Sequence, residues 1–236
     1  MTVPILQGRL AGKRWIVGAG VNGYWLGSYE WDKRVTFEHV VQPGWTVYDV
    51  GAHVGFYSLL ASDLVGPQGM VVAFEPLPRN VRYFKTHMGL NHVRNVVLRE
   101  VAVSDQVGLV RFDPNVHSAT GRIASGGELE VPSITLDEYT AGQSARPPDV
   151  IKMDIEGGEL RALKGATQVL REGTPLILLA THGSVVHREC CALLASLGFS
   201  LVPLTAGAPL EQVDEVLGWK PGSRQAAFLP LAMQRT

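Results

Sequence analysis

From residue 45 onwards, short apolar runs alternate with amphipathic segments of helical length. Continuous apolar runs of this length are typical of strands that are buried on both faces of a parallel sheet. Seven runs are predicted strands: 46–50, 70–75, 96–103, 149–156, 175–181, 199–204 and 226–231. Five of them begin β–α steps and the last two close the sheet. The pattern predicts an α/β fold with a doubly wound, mostly parallel seven-stranded sheet and helices on both faces.

The composition supports one compact domain with a short extension. Apolar residues make up 46% of the 236 residues and charged residues 18%, which suffices for a sizeable core. The strand pattern starts only at residue 45. We therefore assign residues 45–236 to the α/β domain. Residues 1–44 are predicted to form an N-terminal extension, a β-hairpin or loop that packs on the core.

Charge and cysteine content argue against several classes of protein. The formal net charge is −1, so the basic surface that nucleic-acid binding requires is not expected. The two cysteines are adjacent, which suits a reducing compartment better than a disulfide framework. No apolar run reaches the length of a membrane span, and the N-terminal residues lack the pattern of a signal peptide. We expect a cytoplasmic protein without a membrane partner, and a homo-oligomer is compatible with the sequence.

Two glycine-rich turns compete for the role of cofactor turn. Residues 18 to 23 match the G-x-G-x-x-G pattern of dinucleotide-binding turns. That function also needs a helix at the third glycine and a strand that ends in Asp or Glu about 20 residues later. Gly27 interrupts the helix, and no such strand follows. An NAD(P)-dependent oxidoreductase remains an alternative, but a loop or hairpin is the favoured interpretation.

The second turn, YDVGAHVGFYS at residues 48 to 58, has the complete context. Asp49 ends a predicted strand, Gly51 and Gly55 flank the turn, and a helix follows at once. The next strand ends in Glu75, which can accept hydrogen bonds from both hydroxyls of a ribose. A carboxylate at Asp49 would repel a pyrophosphate, whereas it suits the ammonium and sulfonium charges of S-adenosylmethionine. This turn therefore predicts S-adenosylmethionine as the cofactor.

Several segments together resemble the FkbM family of methyltransferases. They are VYDVGAHVGFYS, VVAFEPLPRNVRYFKTHMGLN, VVLREVAVSD, SITLDEY and DVIKMDIEGGELRALKGA, with LGSYEW upstream. The resemblance runs from about residue 20 to residue 185. It implies a Rossmann-like class I methyltransferase fold and S-adenosylmethionine-dependent O-methylation of a hydroxyl on a small molecule, a sugar or a natural-product glycoside.

The resemblance also implies roles for individual residues. Cofactor-binding residues would be Asp49, Gly51, His53, Gly55, Glu75, Pro76, Ala102, Val103, Ser104 and Asp154. The first four belong to the turn that holds the methionine part, Glu75 would bind the ribose, and residues 102–105 would lie by the adenine. His53 stands where the family usually has Asn. Ala180 stands where an acidic residue often precedes the motif histidine, so His182 lacks a local acidic partner.

Candidates for the chemistry follow the fourth and fifth predicted strands. An alcohol must lose a proton during methylation, and the candidate bases are Asp154 and His182. Lys152, Asp154 and Glu156 are predicted to share one face of a strand. Asp154 is a candidate for three roles: orienting the hydroxyl, accepting its proton, or facing the cofactor amine.

The remaining candidates would bind the acceptor. They are Lys152, Glu156, Glu159, His117 and Ser118, the last two in a polar segment that would form a flap. Glu159 also suits the start of the following helix. No ligand spacing of the His-x-x-His kind is present, so no metal site is predicted. An RNA 2′-O-methyltransferase is a further alternative, which the lack of basic character disfavours.

Overall fold

The structure is a computed structural model that describes residues 1–113, 122–123, 129–142, 145–205 and 207–229. The strands, in chain order, are β1 (Thr2–Pro4), β2 (Arg14–Ile16), β3 (Thr46–Val50), β4 (Met70–Phe74), β5 (Val96–Arg99), β6 (Ala102–Val103), β7 (Gly108–Asp113), β8 (Arg122–Ile123), β9 (Leu129–Ile134), β10 (Val150–Met153), β11 (Leu176–Ala180), β12 (Ser200–Pro203) and β13 (Glu215–Trp219). The α-helices are α1 (Gly23–Leu26), α2 (Trp31–Val40), α3 (Phe56–Val65), α4 (Pro78–Leu90), α5 (Leu136–Ala141), α6 (Glu159–Lys164), α7 (Thr167–Glu172) and α8 (Ser184–Ser196).

The central sheet has seven strands in the order β12-β13-β11-β10-β3-β4-β5. Strands β3, β4, β5, β10 and β11 pair in parallel, while β13 pairs antiparallel with both β11 and β12. The predicted doubly wound, mostly parallel seven-stranded sheet is therefore confirmed. The chain runs outward from β3 through β4 on one side and returns to β10 on the other. In such a sheet, the ligand crevice forms where the winding direction changes, outside the carboxyl ends of β3 and β10.

Both faces of the sheet are covered by apolar side chains. One core contains Trp15, Phe37 and Leu60, so the N-terminal segment and α3 share it. The opposite core contains Ile151, Leu163 and Leu194 and lies under α6 and α8. Every residue of β3 is buried, as expected of a central strand that is covered on both faces of the sheet.

Residues 1–44 contain an antiparallel hairpin and two helices. Strand β1 pairs with β2, and α1 and α2 follow. The Trp15 side chain is fully buried and stacks on the His87 ring of α4, with 3.7 Å between ring centroids. The glycine motif at residues 18 to 23 follows an antiparallel strand and leads into a helix of four residues. It is therefore a turn at the end of a hairpin and lacks the β–α unit that binds a dinucleotide.

Two predicted strands, at 96–103 and 226–231, differ from the observed ones in more than their ends. The run at 96–103 is divided between β5 of the central sheet and β6 of a smaller sheet with the order β6-β9-β7-β8. The prediction of a strand at 226–231 is wrong, because Gln225–Phe228 form a 3₁₀ helix; residues 230–236 lie outside the described part. The closing strand is instead β13, whose apolar residues are buried between β11 and β12.

The fourth predicted strand ends earlier than expected. Strand β10 stops at Met153, and Glu156 adopts a left-handed backbone conformation with φ of 56°. The prediction that Lys152, Asp154 and Glu156 share a strand face is therefore wrong. The last two residues belong to a turn that leads into α6.

The helices are too short or too polar to act as membrane spans. Among the described residues, none of them combines the length and apolar character that crossing a bilayer requires.

Candidate functional site

An open cavity lies outside the carboxyl ends of β3, β4 and β10. Nine of the predicted site residues line it: Gly51, His53, Glu75, Pro76, Ala102, Val103, Lys152, Asp154 and Glu156. Four others lie next to these residues without lining the cavity: Asp49, Gly55, Glu159 and His182. Ser104 is completely buried and its hydroxyl donates to Asp105. His117 and Ser118 lie outside the described residues.

The turn after β3 brings the backbone close to a neighbouring strand end. Gly51 has φ of 81°, and a Cβ at this position would overlap the carbonyl oxygen of Asp154. Gly55 has φ of 94°, and a Cβ there would lie 2.9 Å from side-chain atoms of Phe84 and Met88. Both positions therefore require glycine, because they combine a left-handed conformation with close contacts.

Asp49 is almost completely buried beneath this turn. Its Oδ2 accepts a hydrogen bond from the Ser58 hydroxyl at 2.6 Å. Its Oδ1 has no hydrogen-bond partner, although the Lys152 ammonium lies 3.4 Å away. Lys152 Nζ also donates to the carbonyl of Gly51 at 3.1 Å and lies over the Tyr57 ring. This buried acceptor oxygen therefore lies beneath the glycine turn, next to Lys152, which itself lines the cavity.

Glu75 follows β4 and accepts hydrogen bonds from the turn after β3 and from the start of α4. Its Oε2 accepts from the backbone N–H of His53 at 2.8 Å, and its Oε1 accepts from the N–H of Leu77 at 2.9 Å and from Asn80 at 3.2 Å. Burial raises the pKa of the Glu75 carboxyl, against the opposing effect of these hydrogen bonds. Each carboxylate oxygen has two lone pairs, so Oε2 can accept a further hydrogen bond from a ligand.

Asp154 contacts a lysine from the N-terminal segment. Lys33 of α2 is buried, and its Nζ lies 3.3 Å from Asp154 Oδ2, 2.9 Å from Glu30 and 2.6 Å from Glu215. Burial alone would raise the pKa of Asp154, but the charges of Lys152, Lys33 and His182 outweigh it and hold that pKa below its ordinary value. Asp154 is therefore an ionised carboxylate at the cavity wall.

Sequence reasoning missed Lys33, although a signal exists. Lys33, Phe37 and Val40 are all buried and are spaced as one face of a helix. A lysine on an apolar helical face has to pair with an acidic group, because an unpaired buried charge is unfavourable. The partner cannot be identified from the pattern, since Asp154 lies 121 residues further along the chain.

His182 has an acidic partner from another element. Its Nδ1 lies 2.8 Å from Oε1 of Glu159, the first residue of α6, whose side chain is fully buried. Its Nε2 lies 3.4 Å from Glu156 and 3.7 Å from Asp154. The hydrogen bond to Glu159 is the main reason that the pKa of His182 is raised to about 9. Glu159 therefore takes the place of the acidic residue that the sequence lacks at Ala180.

Aromatic side chains form the wall that faces the turn. Tyr24 and Tyr29 come from the N-terminal segment, and Phe56 and Tyr57 from the start of α3. The Tyr24 hydroxyl lies 3.2 Å from Nδ1 of His53, and the Tyr57 hydroxyl donates to Glu30 at 2.9 Å. The N-terminal segment thus supplies part of the cavity that the α/β core alone would leave open.

Comparison with known proteins identifies a matching family and several methyltransferase relatives. The family model for the methyltransferase FkbM domain matches residues 49–201. The hexuronic acid methyltransferase AglP of Haloferax volcanii is 26% identical over 151 residues, which cover 63% of this chain and 61% of that protein. The 31-O-demethyl-FK506 methyltransferase FkbM of Streptomyces tacrolimicus is 27% identical over 215 residues, covering 73% of this chain and 81% of that protein.

Solved structures share the fold. A methyltransferase FkbM from Methylobacillus flagellatus aligns with a TM-score of 0.51 and 18% identity, over 84% of this chain and 52% of that one. An S-adenosylmethionine-dependent O-methyltransferase from Thermotoga maritima aligns with a TM-score of 0.52 and 11% identity, over 83% and 66% of the two chains. This chain thus spans only part of several relatives. The family model covers residues 49–201, which is more than half of the chain, and the chain therefore belongs to the FkbM methyltransferase domain family, whose methyl donor is S-adenosylmethionine.

Proposed function

We propose that the protein methylates a hydroxyl group of a small molecule, a sugar or a natural-product glycoside. The observation that carries the proposal is that one cavity joins a cofactor-type turn, Gly51 to Glu75, to the ionised Asp154. The names of two relatives support the acceptor class, since one methylates a hexuronic acid and the other an oxygen of a demethylated FK506.

The residues around the turn fit S-adenosylmethionine. Asp49 Oδ1 is a buried acceptor without a hydrogen-bond partner, which suits the ammonium of the methionine part. Glu75 lines the cavity and has capacity for a ribose hydroxyl. Ala102 and Val103 supply an apolar wall of the kind that an adenine ring needs. When bound, the cofactor supplies a methyl group on a cationic sulfur, which is a good leaving group.

The protein's own residues then position the acceptor and accept the proton of its hydroxyl group. Methyl transfer is a displacement in line with the leaving group, so positioning and exclusion of water account for most of the catalysis. Asp154 is the proposed group that accepts a hydrogen bond from the hydroxyl and receives its proton. His182 is the second candidate; its raised pKa keeps it protonated near neutral pH, so Asp154 is favoured.

Two measurements test the proposed function in sequence. Calorimetry with the purified chain should give micromolar binding of S-adenosylhomocysteine and no binding of NAD(H). A panel of hexuronides, neutral glycosides and demethylated macrolides, with an RNA oligonucleotide as comparator, should then release S-adenosylhomocysteine from at least one hydroxyl acceptor. Binding without turnover on any acceptor would indicate a non-catalytic binding protein. Turnover on RNA alone would contradict the small-molecule assignment.

A further inference from the structure

We propose that Asp154, Glu156 and His182 bind one divalent cation on the acceptor side of the cavity, of the class that accepts both carboxylate and imidazole ligands. The sequence pattern predicts no metal, because His182 is distant in the chain from Asp154 and Glu156 and only folding brings it next to them. Their role towards the acceptor, described below, rests on the proposed function, but the binding of a cation does not.

The ligand atoms lie at suitable distances from one another. One oxygen from each carboxylate and a ring nitrogen of the histidine all lie within 4.8 Å of each other. His182 Nε2 is 3.4 Å from Glu156 Oε2 and 3.7 Å from Asp154 Oδ1. Around an octahedral ion with bonds of about 2.1 Å, adjacent ligands are about 3 Å apart and opposite ligands about 4.2 Å apart. A single ion therefore reaches all three atoms after small side-chain shifts.

Glu159 provides an independent indication of a ligand. A histidine that binds a metal almost always donates its other ring N–H to a carboxylate, which fixes the tautomer and leaves the second nitrogen free for the ion. Glu159 Oε1 accepts from His182 Nδ1 in this way, so Nε2 is the ring atom that faces Asp154 and Glu156, and it would release its proton when an ion binds. The Glu159 side chain is fully buried, and its Oε2 has no hydrogen-bond partner within the described part of the chain. A buried carboxylate with an unpartnered oxygen needs positive charge close by.

The balance of charge around the site also favours a cation. Five carboxylates converge here: those of Glu30, Asp154, Glu156, Glu159 and Glu215. Among the described residues around them, the Lys33 ammonium contacts three of these groups, while Lys152 is paired with Asp49. Lys33 approaches Oδ2 of Asp154, so Oδ1 stays oriented towards His182. The protonated His182 faces Asp154, Glu156 and Glu159 with a single positive charge, and a divalent ion that replaces its Nε2 proton would add one further positive charge to this acidic group.

In the proposed reaction the cation would bind the acceptor oxygen. Three protein ligands leave open coordination positions, and binding to a divalent ion lowers the pKa of a hydroxyl. The hydroxyl proton passes to the Asp154 carboxylate or to solvent. The acceptor oxygen then forms the new O–C bond as the C–S bond breaks, and the electron pair of that bond returns to sulfur, which becomes a neutral thioether.

Titration with Mn²⁺ tests the site directly. Binding is measured as the loss of the free-ion signal in electron paramagnetic resonance. The chelator-treated full chain should bind about one equivalent with a dissociation constant on the order of 1 mM or tighter. Glu156→Gln, which keeps the side-chain shape, should weaken Mn²⁺ binding at least tenfold. Glu159→Gln should weaken it by about 10- to 100-fold through the orientation of His182. Glu189→Gln, on the exposed surface of α8, is the matched control and should leave binding unchanged.

Three outcomes are decisive. Absence of Mn²⁺ binding, or binding that Glu156→Gln leaves unaltered in a variant with a normal melting curve, overturns the proposal. Binding of S-adenosylhomocysteine, measured by calorimetry with chelator present, reports separately on the proposed function. If that ligand binds and Mn²⁺ does not, the cation proposal alone fails. If Mn²⁺ binds as expected and no acceptor is methylated, the metal site stands and the proposed function fails.

Discussion

His182 Nδ1 lies 2.8 Å from Glu159 Oε1, so a buried carboxylate at the start of α6 fixes the histidine that follows β11. The two residues are 23 positions apart: Glu159 begins α6, and His182 lies in the loop between β11 and α8. The contact orients Nε2 towards Asp154 and Glu156. It thereby connects the turn after β10 with the loop after β11 and organises the acceptor side of the cavity.

The first prediction concerns the cofactor. Glu75→Ala removes a carboxylate placed for the ribose hydroxyls, and hydrogen bonds to a charged group contribute about 1.5–3 kcal/mol each. We expect the affinity for S-adenosylhomocysteine, measured by calorimetry, to fall at least tenfold. Glu100→Ala, in an exposed ion pair with Lys85, is the control and should bind normally. Equal affinity in the two variants would refute the assignment of this turn.

The second prediction separates the two glycine turns. Gly51→Ala would press a Cβ into the carbonyl of Asp154 and should abolish S-adenosylhomocysteine binding or folding. Gly18 also has a positive φ, of 85°, but a Cβ there meets nothing within 4 Å. Gly18→Ala should therefore destabilise the chain by only about 1 kcal/mol and change cofactor affinity less than about twofold. A large loss of affinity in a folded Gly18→Ala variant would show that the hairpin turn binds the cofactor.

The third prediction concerns the residue that accepts the proton of the acceptor hydroxyl. Asp154→Asn keeps the shape of the side chain and loses its basicity, so kcat should fall by about 10²–10⁴-fold with S-adenosylhomocysteine binding nearly intact. His182→Ala tests the second candidate, and Asp63→Asn, in a surface ion pair with Arg9, is the control. If Asp154→Asn abolishes cofactor binding instead, Asp154 belongs to the cofactor pocket. If neither variant slows turnover tenfold, the reaction needs no dedicated base.

The fourth prediction concerns the buried lysine of α2. Lys33→Met leaves three carboxylates without their shared ammonium, and removal of one partner from a buried ion pair costs about 3–5 kcal/mol. We expect the free energy of unfolding in urea to decrease by that amount. Lys85→Met breaks an exposed pair and should change it by about 0–1 kcal/mol. Similar values for the two variants would show that Lys33 does not stabilise the site.

The fifth prediction concerns pH and the N-terminal segment. His87 is fully buried; its Nδ1 contacts the carbonyl of Val54 at 2.8 Å, and its Nε2 accepts from the N–H of Ile16 at 3.2 Å. Burial lowers the pKa of His87 below 6.5, so the folded state favours the neutral ring. This contribution is present above the unfolded pKa of about 6.5 and is lost as the pH falls through the folded value.

The measurement compares wild type with His87→Phe, which cannot titrate at this position. The difference between their free energies of unfolding in urea should favour wild type at pH 7.5 and shrink by about 1.4 kcal/mol for each unit of pKa shift as the pH falls. A difference that stays constant between pH 7.5 and pH 5 would contradict the neutral, hydrogen-bonded ring.

The local pattern of the sequence determined the β3–α3–β4 unit. The TVYDV run and the helix at 56–65 occur at the predicted positions, because strand and helix periodicity are short-range properties of neighbouring residues. The glycine turn between them was equally visible, since two positive-φ positions require glycine. The order of the motifs along the chain also sufficed to identify the family. The sequence pattern did not reveal strand β13, because four of its five residues are buried only through pairing with β11 and β12.

The tertiary structure alone decided how the charged groups of the site are arranged. Lys33 is 121 residues from Asp154 in the chain and Glu159 is 23 residues from His182, yet both pairs are in contact. No periodicity encodes such distances, because they depend on how helices pack against the carboxyl edge of the sheet. The pKa values follow from the same packing, since burial and neighbouring charges are set by residues remote in sequence. The sequence by itself therefore determined the fold and the glycine turn after β3, whereas folding determined which acidic groups surround His182.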